Sequence, residues 1–146
     1  MFKRKIYSKM QEWKKDSDGK TALLIEGARR IGKSTVVEEF AKNEYESYIL
    51  IDFARASKET KELFEDVSDL NFLFVQLQLQ YRVDLQERKS VIIFDEVQLC
   101  PAARQAIKAL VADHRYDYIE TGSLISIKKN VKDILIPSEE RKISMY

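Results

Sequence analysis

Apolar residues along this chain switch repeatedly between helical spacing and short continuous runs, and the alternation predicts strands separated by helices. Phe2, Ile6, Met10 and Trp13 recur at helical spacing with lysines between them, which predicts an amphipathic helix over Phe2–Lys15. That spacing is what a half-buried helix packed on a domain needs; the competing reading is a basic arm for nucleic acid or membrane. Asp16-Ser17-Asp18-Gly19 reads as the turn after it. Thr21–Glu26 is a short apolar run, the pattern of a buried strand. Lys33–Lys42 sets Val36, Val37, Phe40 and Ala41 on one helical face, and Tyr45–Phe53 is rich in strand formers. Ser57–Asp66 predicts a helix with Ser57 as N-cap and Glu59 in the first turn. Leu70–Leu79 fits either period; Asp69 as a cap and the glutamines favour helix. Val91–Phe94 predicts a third strand, and Pro101–Asp113 a helix opened by its proline. Tyr116–Glu120 reads as a fourth, more polar strand and Arg141–Tyr146 as a fifth.

Strands alternating with helices predict an α/β fold with a parallel sheet covered on both faces and right-handed crossovers. The length of 146 residues suits one domain, and 45% hydrophobic against 34% charged residues suits a folded core with a solvated surface. A net charge of +1 gives no support to a nucleic-acid module. One cysteine, Cys100, rules out an internal disulfide, and with the single His114 leaves zinc short of ligands. The apolar runs are too short to span a membrane, and the basic start of the chain lacks the apolar stretch of a signal peptide. A reducing, cytoplasmic setting is expected.

Only four glycines occur, and two stand in one short window. Gly27-Ala28-Arg29-Arg30-Ile31-Gly32-Lys33-Ser34, followed by Thr35, matches the phosphate-binding P-loop pattern in full. Gly27 and Gly32 let backbone wrap closely around phosphate oxygens, and the loop amides with the next helix's N-terminus form an anion cradle. Lys33 brings positive charge to the β- and γ-phosphates, and Ser34 offers a hydroxyl to Mg²⁺. A strand before the loop and a helix after it supply the context the mechanism requires. Arg29 and Arg30 either face solvent or add charge near the phosphates.

Val91-Ile92-Ile93-Phe94 delivers Asp95 and Glu96 to a strand's carboxyl end, where ligands bind in open parallel sheets. Asp95 there suits Mg²⁺ coordination opposite Ser34, and Glu96 suits orienting or deprotonating water. Thr121-Gly122-Ser123 ends the fourth strand; Ser123, then Thr121, is the candidate to sense the γ-phosphate, against an ordinary turn. No guanine-reading Asn-Lys-x-Asp occurs, which favours adenine. Cys100 reads as a buried structural thiol, His114 as a surface residue, and Trp13 and the tyrosines as packing residues. Arg82, Arg104 and Arg115 are undifferentiated candidates for an arginine acting in trans.

Glu-Gly-Ala-Arg-Arg-Ile-Gly-Lys-Ser-Thr, Ile-Ile-Phe-Asp-Glu-Val-Gln-Leu-Cys-Pro and Thr-Gly-Ser-Leu together resemble the prokaryotic AAA-type ATPases of the AAA superfamily, over about Ile6–Tyr146. The resemblance implies a three-layer P-loop sandwich whose five-stranded parallel sheet has the order 5-1-4-3-2. It implies ATP and Mg²⁺ at Lys33, Ser34 and Asp95, with Glu96 catalytic. It also implies a lid and a second C-terminal domain beyond Tyr146, so the chain is expected to be one domain of a larger protein, with that domain or another protein as partner and oligomers in prospect. Three functions follow: an ATPase driving a partner, a nucleotide-dependent switch that hydrolyses little, and, third, a small-molecule kinase.

Overall fold

The computed structural model describes residues 2–27, 33–122 and 140–144. The first helix, α1 (Phe2–Ser17), buries Ile6, Met10 and Trp13, as their spacing predicts. It runs further than expected: Asp16 and Ser17 are helical, and only Asp18 and Gly19 turn, both at positive φ. Gly19 suits this turn through its backbone. Its φ is +79°, and a Cβ would meet the Arg88 guanidinium at 2.5 Å. Two side chains then bind the strand that follows. Trp13 Nε1 donates to Thr21 Oγ1 at 3.2 Å, and Ser17 Oγ accepts from the Thr21 amide at 2.9 Å.

The remaining elements are β1 (Ala22–Glu26), α2 (Lys33–Glu44), β2 (Ser47–Asp52), α3 (Lys58–Glu62), α4 (Leu70–Tyr81), β3 (Ser90–Asp95), α5 (Pro101–Asp113), β4 (Asp117–Gly122) and β5 (Glu140–Ser144). Short 3₁₀ turns follow α3 and β3. Ser57 caps α3 by accepting from the Thr60 amide, and Asp69 caps α4 by accepting from the Phe72 amide, which settles the ambiguous segment as helix. The strands pair in parallel in the order β2-β3-β4-β1-β5, which read from the other edge is 5-1-4-3-2.

Because side chains alternate across a strand, β1 to β4 each feed two cores. Leu23, Ile25, Val91, Ile93 and Ile119 meet Met10, Trp13, Val36, Val37 and Phe40 of α1 and α2. Ile49, Ile51, Ile92, Phe94 and Tyr118 meet Phe74, Leu77, Ile107 and Leu110 of α4 and α5. β4 is as polar as expected, yet wholly buried. All six of its residues are buried, including Asp117, Glu120 and Thr121, because other elements supply each with a polar partner.

Candidate functional site

The carboxyl ends of β1, β3 and β4 come together at one edge of the sheet. Gly27, just past β1, donates its amide to the Gly122 carbonyl at 3.1 Å, so the tips of β1 and β4 stay level. α2 opens at Lys33 and presents Ser34, an exposed residue of its first turn, to the end of β3. Ser34 Oγ donates to Asp95 Oδ1 at 2.8 Å. Thr121 Oγ1 donates to the same carboxylate oxygen at 2.7 Å. Asp95 is only 7% exposed, so two hydroxyl donors offset much of the cost of holding a carboxylate there.

The chain turns sharply after Asp95. Glu96 adopts the left-handed region, with φ 55° and ψ 53°, and its amide donates to Thr121 Oγ1 at 3.0 Å. The Thr121 hydroxyl therefore donates to Asp95 and accepts from Glu96. Gln98 Nε2, in the following 3₁₀ turn, donates to Glu96 Oε1 at 2.7 Å and holds that carboxylate. On the other side of the strand, the Phe53 amide donates to the Asp95 carbonyl at 3.0 Å. Backbone and side chains thus fix the end of β3 from three elements.

Ser34, Asp95, Glu96 and Thr121, four residues named from sequence, are brought together by these bonds. Gly27 is buried at the β1 tip, Lys33 begins α2, and Thr35 is exposed in that helix's first turn. Ala28, Arg29, Arg30, Ile31, Gly32 and Ser123 lie outside the described residues. Thr121, ranked second to Ser123 on sequence, is the β4 residue bound to Asp95. Gln98 carries a role that sequence reasoning missed; its only signal is its place two positions after Glu96.

The donors suit a hard cation. Ser34 and Asp95 offer a hydroxyl and a carboxylate oxygen side by side, the ligand chemistry that Mg²⁺ shares with phosphate and water. Among the described residues no three acidic, histidine or cysteine side chains cluster.

The other candidates separate. Arg104 is 3% exposed and pairs with the fully buried Glu120 at 3.3 Å, which removes it as a surface finger. Arg115 binds Asp113 and Asn71 and lies over the Phe74 ring, just ahead of β4 at the sheet's opposite edge. Arg82 ends α4 in the left-handed region, on the approach to β3. Burial pushes the Cys100 thiol up, against thiolate chemistry. His114 is an exposed C-cap of α5 whose Nε2 lies 2.8 Å from the Asp18 carbonyl.

A family model described as an AAA domain matches residues 19–145. Among solved structures, that of C. elegans PCH-2 shares the fold, with a TM-score of 0.53 at 14% identity. The alignment covers 97% of this chain and 42% of that one, so this chain spans less than half the length of that protein. No curated protein matches the sequence.

Proposed function

The chain belongs to the AAA family of nucleotide-binding ATPase domains, and from that premise we propose that it binds Mg-ATP at the carboxyl edge of its sheet and hydrolyses it. The observation that carries this reading is the convergence of Ser34 and Thr121 on Asp95 Oδ1, directly beside the start of α2. The segment from Gly27 to Lys33 joins β1 to α2 with the residue types that wrap a polyphosphate. Lys33 offsets charge on the β- and γ-phosphates, and Ser34 with Asp95 would hold Mg²⁺. When bound there, Mg²⁺ would offset the negative charge that develops on the phosphate oxygens. Glu96 orients a water and takes its proton as the water oxygen bonds the γ-phosphorus. The bond from that phosphorus to the bridging oxygen breaks, and its electron pair leaves on ADP.

Energy from that cycle would move a second domain or a partner protein. Among the described residues no helix is long and apolar enough to cross a membrane. The single cysteine fits a reducing, cytoplasmic setting. A net charge of +1 does not favour nucleic acid as that partner. A second reading, a nucleotide switch with slow turnover, draws on the Gln98–Glu96 hydrogen bond, which engages an oxygen the water would need.

ATP titration with and without Mg²⁺, on the wild type and on Lys33→Ala and Glu96→Gln, tests both. We expect Mg²⁺ to tighten wild-type binding and Lys33→Ala to lose at least about tenfold in affinity, roughly 1.4 kcal/mol. Glu96→Gln should keep binding while phosphate release falls by about 100-fold or more. Equal affinity in Lys33→Ala would refute the site. Unchanged turnover in Glu96→Gln would favour the switch.

A further inference from the structure

From the exposed face of α4 we infer a self-association surface: a second copy of this chain docks there, its own α4 running antiparallel about a two-fold axis. α4 buries Leu73, Phe74 and Leu77 against the domain. Its opposite face carries Phe72 at 56% exposure, Val75 at 49% and Leu79 at 69%. Positions 72, 75 and 79 fall on one helical stripe, so the three form a continuous apolar ridge. A single exposed leucine would be ordinary; a ridge of three large apolar residues along one helix is what interaction surfaces present.

Charge sets the occupant. All twelve residues of α4 are uncharged, although 34% of the chain is charged. The polar members are Asn71 and three glutamines, and depletion of charge is the compositional mark of an interface core. Charge returns only at the ends: Asp69 caps the N-terminus and Arg82 the C-terminus. An antiparallel second copy lays the Asp69 end beside the partner's Arg82 end. Opposite charges meet there, and so do opposite ends of the two helix dipoles.

The register is self-complementary too. A two-fold axis between Val75 and Gln76 sets Phe72 opposite the partner's Leu79 and Val75 opposite the partner's Gln76, with Asp69 level with the partner's Arg82. An isologous dimer requires such reciprocal pairing. Because α4 is only about 18 Å long, the helix contact falls below the roughly 800 Å² per partner of a standard stable interface. The dimer is therefore weak and reversible, so association is read between about 10 μM and about 1 mM.

Sedimentation equilibrium on the whole chain across that concentration range, without nucleotide, reads the mass directly. The wild type should double its mass. Leu79→Glu and Phe72→Lys, both at exposed positions, should each stay monomeric with an unchanged helical spectrum. Mixed in equal amounts they should recover the dimer. In the heterodimer the introduced carboxylate of one chain faces the introduced ammonium of the other, and the remaining native Phe72 faces the remaining native Leu79. A wild type that remains monomeric to about 1 mM, or a Leu79→Glu variant that dimerises like it, would overturn the proposal. Failure of the mixture to associate, beside a dimeric wild type, would overturn the antiparallel register. None of these variants touches the nucleotide site, so the result stands apart from ATP binding.

Discussion

The Thr121 hydroxyl is the smallest group on which the site's geometry turns. It donates to Asp95 Oδ1 at 2.7 Å and accepts from the Glu96 amide at 3.0 Å, so one oxygen positions both acidic residues. Thr121→Val keeps the shape and removes both bonds. With Thr121 fully buried, water is poorly placed to replace the lost partner. We expect a loss of about 1–3 kcal/mol in stability, read by urea denaturation, and a smaller gain in ATP affinity on adding Mg²⁺. A variant as stable as the wild type, with the same Mg²⁺ effect, would show that Asp95 is held by Ser34 alone. Asp95 and Ser34 are legible in the sequence because each belongs to a motif whose spacing has a mechanical reason. Thr121 is harder to rank, since any hydroxyl near the end of β4 would fit. Only strand register, which no local pattern encodes, says which one faces Asp95.

β4 shows how an element can be recognised while its partners stay hidden. Its residues signal a strand more polar than the others, although the order 5-1-4-3-2 already implies a central place for it. The structure puts it at the centre of the sheet between β3 and β1. What reconciles the two is pairing with distant residues: Asp117 meets Arg88 at 2.7 Å, and Glu120 meets Arg104 at 3.3 Å. Those partners sit on other elements, beyond the reach of any periodicity. Helices are more legible, because caps such as Ser57 and Asp69 act on amides three residues away and are local by nature. The pairing also makes a prediction for β4 and α5 together. Arg104→Met removes the Arg104 cation from the buried Glu120 and should cost up to about 3–5 kcal/mol. Adding Glu120→Leu should recover much of it, since an apolar pair of similar volume carries no desolvation penalty. Chemical denaturation of the three variants checks this. If the double variant is no more stable than Arg104→Met, the damage lies in packing around α5, not in the charge.

Across the whole molecule, the tyrosines tie the fold to alkaline pH. Tyr7, Tyr45, Tyr48, Tyr81, Tyr116 and Tyr118 are spread over both faces of the sheet, and burial raises the phenol pKa of each. Three of them also donate to carboxylates: Tyr7 to Glu44, Tyr45 to Asp117 and Tyr48 to Glu38. Ionising any of these would set like charges against each other. The sign follows from proton counting. The folded state keeps its phenols protonated at pH values where the unfolded chain, with phenols near 10, releases them. Between those values the native state binds more protons, so stability falls as pH rises. The contribution is complete below about pH 10 and is lost above it. Tyr48, raised to about 12, completes its loss there; Tyr45 and Tyr118 lie higher and go on favouring the unfolded chain. The thermal midpoint should therefore hold between about pH 8 and pH 9.5 and drop steeply beyond about pH 10. Tyrosinate absorbance should rise together with loss of helix rather than ahead of it. Tyr45→Phe, which removes a phenol held by Asp117, should start less stable at neutral pH yet decline less steeply in base. Should the folded protein instead release its phenolic protons near pH 10 with helix intact, burial is not what controls them, and the packing of β4 against α2 and α5 would need another account.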